Sequence, residues 1–291
     1  MQTIGKYLKH PGVLIFGTCY IAAIVLVILR DTANAPVFIG MSGAMWLLVW
    51  LAFGLTEKIV VEQPAIRHPL WELLFGLVIV AIWDLVPLPT PGFGGKWHWG
   101  FILKKMVVLA IVPYLLLKVS GNSNEALGLT LRSWKKNLIT GVLIFGAMAV
   151  PSAFYSGTAS SILSGSLSVA RLIAVLPVSI GYYFLMSGFS EEFLFRVVIQ
   201  TRISSLLKSR LSGVLIASLF FGLLHIPNIM RWYPGTTLAQ AYCRAFFIQT
   251  MLGVIMGTLW ARTRSVIPGV FLHSAIDGLN NLDHIASLLG S

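Results

Sequence analysis

Long apolar blocks dominate this sequence and leave it few folds to adopt. Each block is close to the roughly 20 residues that a helix needs to cross the hydrocarbon core of a bilayer. Only 11% of the residues are charged and 57% are hydrophobic, whereas a soluble domain has about 25% charged residues. The sequence therefore predicts an all-α, polytopic membrane helix bundle with eight or nine transmembrane helices. The predicted spans are 11–29, 36–55, 70–88, 102–118, 137–155, 171–189, 211–227, 241–261 and 266–282.

Basic residues lie mostly in the gaps between these blocks and predict the orientation of the chain. With a cytoplasmic N terminus and an uncleaved first span, thirteen basic residues face inside and six face outside, in agreement with the positive-inside rule. The inside set is Lys6, Lys9, Lys58, Arg67, Lys118, Arg132, Lys135, Lys136, Arg202, Lys208, Arg210, Arg262 and Arg264. The outside set is Arg30, Lys96, Lys104, Lys105, Arg171 and Arg231. This distribution of the net charge of +11 suits anionic lipid headgroups and argues against nucleic acid as a partner.

Two features of the first half interrupt its series of apolar blocks. Residues 120–137 are polar with scattered Leu and Trp, which predicts a cytoplasmic linker with an interfacial helix. Lys104 and Lys105 interrupt the fourth block, and we expect both to snorkel from its start. We divide the chain into an N-terminal transmembrane region, 1–165, in which this linker lies, and a C-terminal membrane domain, 166–291.

Ionisable residues in and next to the predicted spans cluster after residue 190, and the first of them lie in the stretch SEEFLFR, which continues the apolar block 171–189. Such residues are costly in a membrane and usually functional. Glu192 and Arg196 are four apart, which suits an ion pair on one helix face. Glu191 points about 100° away and has no partner in its own motif, which suits a general base. The alternative is that both carboxylates mark the end of a span in headgroup water.

Two further motifs follow on later spans. Phe221 and His225, and then His273 and Asp277, are each four residues apart and share a helix face. The chain runs 17 residues from Glu191 to Lys208 and 17 more to His225. In an antiparallel hairpin that turns at Lys208, the glutamate and His225 would lie at similar depth. A lone histidine on an apolar helix is more often structural, but two histidines beside a Glu-Glu pair favour a functional site.

In this order, EExxxR, FxxxH and HxxxD resemble the motifs of the CAAX prenyl protease and bacteriocin-processing family, also called the CPBP or Abi family. The resemblance covers roughly residues 170–285 and implies an intramembrane glutamate-dependent endopeptidase. It implies that Glu191 activates a water with the help of His225, while His273 and Asp277 face the developing oxyanion. Glu192, Arg196 and Phe221 are then supporting residues, and no cofactor or metal is expected.

The resemblance also implies a peptide or protein substrate with a membrane-proximal cleavage site. Prenylated C-terminal tails, bacteriocin leaders and C-terminal sorting signals all remain open as substrates. We expect the protein in the plasma (inner) membrane of a prokaryote.

Three alternatives compete with this interpretation. A zinc peptidase would use the same carboxylates and histidines, although the sequence has no HExxH motif. A rhomboid-type serine protease would need a nucleophile, and Ser190 in GFSE only approximates the GxSG pattern. A non-enzymatic transporter or scaffold could keep polar residues for packing or a proton path, but the sequence has no internal repeat.

Overall fold

A computed structural model of the chain describes residues 10–56, 66–92 and 95–290. The described residues form helices and no β-strand. The helices are α1 (Pro11–Arg30), α2 (Ala35–Leu55), α3 (Pro69–Leu85), α4 (Gly95–Val119), α5 (Trp134–Ser156), α6 (Thr158–Leu163), α7 (Val169–Leu206), α8 (Arg210–Leu223), α9 (Ile226–Trp232), α10 (Leu238–Thr263), α11 (Ile267–Asn280) and α12 (Leu282–Leu289). The predicted helical membrane bundle is confirmed. Lys6, Lys9 and Lys58, which contribute to the predicted orientation, lie outside the described residues.

Seven helical segments of the described chain are long and apolar enough to cross a membrane, and they coincide with seven of the predicted spans. The other two predicted spans also form helices, but short ones. Helix α3 has 17 residues and α11 has 14. A 14-residue helix is about 21 Å long, which is less than the roughly 30 Å of the hydrocarbon core. Large apolar side chains are exposed on several helices of the bundle, such as Trp50 on α2, Leu85 on α3 and Ile173 on α7, and they suit contact with lipid.

The interfacial helix predicted within residues 120–137 does not form. Residues 120–133 make turns, and α5 begins at Trp134. These turns are hydrogen-bonded to the chain that leads into α11. The backbone N–H of Val266 donates to the Gly128 carbonyl at 3.4 Å, and Nη2 of Arg264 donates to the Ala126 carbonyl at 3.2 Å. Backbone groups satisfied in this way do not need a helix.

By packing, the chain forms two compact units. Unit 1 comprises Met1–Leu73 and Val198–Thr263, and unit 2 comprises Leu74–Val197 and Arg264–Ser291. Each unit combines segments from before and after residue 165. The packing therefore does not follow the boundary drawn from the motifs, and the functional division at residue 165 stays a prediction.

Close approach of backbones holds unit 1 together. Gly12 in α1 lies so close to α8 that a Cβ atom would come within 2.4 Å of Cα of Ser212. The Gly12 N–H donates to Oγ of Ser212 at 3.3 Å. A buried ion pair between Arg202 and Glu72, with 2.8 Å between Nη2 and Oε2, links α7 to α3. Small residues at helix contacts are typical of membrane bundles.

In unit 2, α11 packs between α5 and α7. Gly278 lets α11 approach α7, because a Cβ there would come within 3.0 Å of the Ile180 nitrogen. Oγ of Ser179 also donates to the Gly278 carbonyl at 2.8 Å. This contact brings the HxxxD motif on α11 against the helix that carries EExxxR.

Helix α7 is irregular around its glutamates. Its α-helical hydrogen bonding gives way to π-helical turns at Phe184–Gly188 and Phe193–Gln200, and only Phe189–Glu192 between them is α-helical. Helix α4 has a similar turn at Val107–Ile111. Single π-helical turns widen a helix locally and often occur at functional sites.

Candidate active site

The second glutamate of EExxxR is buried in an ion pair. Nε of Arg196 lies 3.0 Å from Oε2 of Glu192, and Nη2 lies 3.4 Å from Oε1. Both side chains are at most 2% exposed. The ion pair predicted from the four-residue spacing therefore forms, and the headgroup-water alternative does not describe Glu192. Breaking a buried pair is strongly destabilising, so this pair fixes the local geometry.

His273 of α11 lies among three carboxylates. Its Nδ1 is 3.2 Å from Oε1 of Glu192. Its Nε2 is 3.5 Å from Oδ2 of Asp277 and 3.8 Å from Oε2 of Glu191. The ring is 5% exposed. The structure thus brings the first and third motifs together within unit 2.

Asp277 has a partner that the sequence motifs do not indicate. Oγ of Ser187 donates to Oδ2 of Asp277 at 2.6 Å. Ser187 lies in the π-helical turn Phe184–Gly188, four residues before Glu191. The same carboxylate oxygen therefore faces both Ser187 and His273. A serine in an apolar membrane helix carries little signal in the sequence, because such hydroxyls usually bond to their own helix.

Glu191 is paired with a residue from the first half of the chain. Nζ of Lys105 in α4 lies 2.5 Å from Oε1 of Glu191, and the two side chains are 11% and 15% exposed. The expectation that Lys105 snorkels to the interface is wrong. The physical reason is that the carboxylate of Glu191 compensates the charge of the buried ammonium group, so that Lys105 does not have to extend to the headgroups. Lys104 instead donates to the Leu88 carbonyl and to Thr90.

The cluster is nearly balanced in charge. Three carboxylates face one lysine and one arginine, so the sum is zero when His273 carries a proton and −1 when it does not. Charges that are taken out of water together must be compensated within the cluster. The six ionisable members are Lys105, Glu191, Glu192, Arg196, His273 and Asp277.

His225, the histidine of the second motif, belongs to unit 1. It lies between α8 and α9 and is partly buried. Its Nδ1 is 2.7 Å from the Phe221 carbonyl, and its ring centroid is 4.6 Å from that of Phe221. Because a carbonyl only accepts, Nδ1 carries the proton, and Nε2 of a neutral ring is then an acceptor. Phe221 thus orients His225, while the shared role of His225 with Glu191 stays a prediction.

Within the described part of the chain, no group of three or more His, Cys, Asp and Glu side chains is arranged to hold a metal ion. The three carboxylates are in contact with lysine, arginine and serine, and His273 is in contact with the carboxylates.

The fold and the cluster define an integral, multi-pass membrane protein with a buried ionisable site on facing helices. Residues 173–279 match the model of one protein family, described as type II CAAX prenyl endopeptidase Rce1-like. The matched segment contains all three motifs. Over these residues the chain is similar to CAAX prenyl endopeptidases, and the match indicates a membrane peptidase, as the resemblance implied. Comparisons with curated proteins and with solved structures found no match.

Proposed function

We propose that the protein is an intramembrane endopeptidase that uses Glu191 to activate water. The observation that carries this proposal is the facing pair of Glu191 and His273, whose Oε2 and Nε2 are 3.8 Å apart. This separation exceeds a direct hydrogen bond. A reacting atom about 3 Å from both a base and an oxyanion donor is what acyl transfer requires.

In this mechanism, Glu191 takes a proton from water as the water attacks the scissile carbonyl. Nε2 of His225 is the proposed second acceptor that holds this water. The proton on Glu191 then passes to the leaving amine, so that the peptide bond breaks and the carboxylate is restored.

The negative oxygen of the tetrahedral intermediate needs donors. We assign this role to Nε2 of His273. Asp277 lies 3.5 Å from that nitrogen and accepts a hydrogen bond from Ser187. An ionised Asp cannot donate, so its proposed role is to orient His273.

The proposed substrate is a peptide with a cleavage site near the membrane, in a C-terminal tail or a leader. A buried site on helices that face lipid suits a substrate that is itself held at the bilayer. We also propose a cytoplasmic N terminus and the plasma (inner) membrane of a prokaryote, as the positions of the basic residues and the family resemblance suggest.

A comparison of protein termini tests this function and identifies the substrate in the same experiment. Membranes from cells that express the wild type, Glu191→Gln or Glu125→Gln are analysed by mass spectrometry of protein termini. Glu125 is exposed in the linker and is the matched control. New termini are expected with the wild type and the control and should be absent with Glu191→Gln. Identical termini in all three samples would contradict the proposed protease.

A further inference from the structure

We propose that Lys105 is a positioning residue for Glu191, an inference that rests on the proposed role of Glu191 as the base. Nζ of Lys105 lies 2.5 Å from Oε1 of Glu191. The two residues are 86 positions apart in the chain. Lys105 precedes the segment that matches the family, which begins at residue 173. The first half of the chain therefore supplies a residue to the active site.

The helices around Lys105 explain why it reaches the glutamate. Its segment, Trp99–Met106, packs against the π-helical turn Phe184–Gly188. The π-helical turn Val107–Ile111, which begins two residues after Lys105, packs against Phe189–Glu192. At this contact, the π-helical turn of each helix therefore packs against an α-helical segment of the other. The packing directs the ammonium group at Glu191.

The neighbouring lysine lies in a different environment. Nζ of Lys104 donates to Oγ1 of Thr90 at 2.7 Å and to the Leu88 carbonyl at 3.2 Å. It also lies 5.4 Å from the ring centroid of Trp83. Two adjacent lysines thus have separate partners, and only Lys105 contacts the cluster. Lys104 provides a matched control with the same charge and side-chain length.

The contact assigns different tasks to the two oxygens of Glu191. Oε1 accepts from Lys105, while Oε2 faces Nε2 of His273 at 3.8 Å. A carboxylate held at one oxygen keeps its other oxygen in a fixed direction. The ammonium also offsets the charge of Glu191, which lies near Glu192 and Asp277. Each glutamate of the motif thus has its own cation, since Arg196 pairs with Glu192.

A misdirected base should slow the chemical step more than it weakens binding. A displacement of about 1 Å can cost about 100-fold in rate. We therefore expect Lys105→Met to lower kcat by about 100-fold, with a KM within about threefold of the wild type. Lys105→Arg restores a cation and should recover a large part of kcat. Lys104→Met should keep kcat within about twofold, because it leaves the cluster intact.

The experiment uses the full-length protein, purified in detergent, with a synthetic peptide that spans the cleavage site found by the comparison of termini. Thermal unfolding of each variant accompanies the kinetics. The double variant Lys105→Met with Glu191→Gln leaves no carboxylate at this contact. It should unfold at a higher temperature than Lys105→Met alone. The single variant leaves the carboxylate of Glu191 without the ammonium of Lys105, so the effects of the two substitutions are not additive.

The proposal is overturned if Lys105→Met has the kcat of Lys104→Met. It is also overturned if Lys105→Arg and Lys105→Met lose the same activity, because the cation would then have no role. Failure of the proposed function gives a different pattern, in which Glu191→Gln remains active. An inactive Glu191→Gln with a fully active Lys105→Met would reject only the role of Lys105.

Discussion

Nδ1 of His273 lies 3.2 Å from Oε1 of Glu192, so the second glutamate of the motif contacts both an arginine of its own helix and a histidine of α11. This contact ties the helix of the proposed base to the helix of the proposed oxyanion donor. We propose that Glu192 positions His273, although Glu192 is not the proposed base. We expect the stability of the site to depend mainly on Glu192 and the chemical step mainly on Glu191.

The first prediction concerns the buried ion pair. Arg196→Ala should lower the free energy of unfolding by about 3 to 5 kcal/mol, because it leaves Glu192 buried without its arginine. Glu191→Gln should cost much less, since the amide oxygen still accepts from Lys105. Unfolding in detergent measures both, with Arg132→Ala, an exposed arginine in the linker, as the control. Equal losses in Arg196→Ala and Glu191→Gln would remove the distinction between the two glutamates.

The second prediction concerns Asp277. If its charge orients His273, Asp277→Asn should lower kcat by about 100-fold, the scale of losing one oxyanion donor. Asp277→Leu should be impaired at least as much, because the side chain then offers no acceptor to Ser187. Asp283→Asn, in the neighbouring helix α12, is the matched control. Full activity of Asp277→Asn would mean that position 277 donates directly, and full activity of Asp277→Leu would place it outside the site.

The third prediction concerns the packing that joins the motifs. A Cβ atom at Gly278 would lie 3.0 to 3.3 Å from backbone atoms of Ser179 and Ile180, which cannot rotate away. Gly278→Ala should therefore destabilise the protein by about 1 to 3 kcal/mol. Gly181→Ala is the control, because nothing lies within 4 Å of its Cβ position. An unchanged melting temperature for Gly278→Ala would mean that α11 and α7 are not held at this distance.

The fourth prediction concerns topology. Cysteines introduced at Lys135 and Lys208 should react with a membrane-impermeant reagent from the inside, and one at Arg231 from the outside. All three positions are exposed. Arg264 is a poor labelling site, because it is buried and donates to the Ala126 carbonyl. These cysteines are introduced into a variant from which the two native cysteines, Cys19 and Cys243, have been removed. Labelling of positions 135 and 231 from the same side would contradict the proposed orientation.

Much of the fold could be predicted from the sequence, because hydropathy and length act within single segments. The helices α3 and α11 form where spans were predicted, but they are shorter than expected. Pro and polar residues end each helix before the apolar block ends, and the prediction followed the length of the block. The prediction of an interfacial helix within residues 120–137 was wrong for a different reason. The backbone groups of these residues bond to the chain near Val266, and such tertiary partners leave no periodic signal in the sequence.

Contacts within the candidate site could be predicted where both residues lie on one helix. The pairing of Glu192 with Arg196 follows from helical spacing alone. Lys105 and Ser187 could not be found in this way. The first depends on a contact across 86 residues, and the second depends on a π-helical turn that changes which face it occupies. An ionisable residue inside a predicted span, as Lys105 is, was the available signal.

Hydrolysis of the identified peptide by purified protein, in the presence of a strong chelator, tests the central claim most directly. We predict that the wild type keeps its activity after dialysis against the chelator. We also predict that Glu191→Gln, folded as judged by thermal unfolding, loses about 10²- to 10⁴-fold in kcat, the scale of general acid–base catalysis. Loss of wild-type activity in chelator with recovery on addition of zinc, or wild-type activity in Glu191→Gln, would contradict this mechanism.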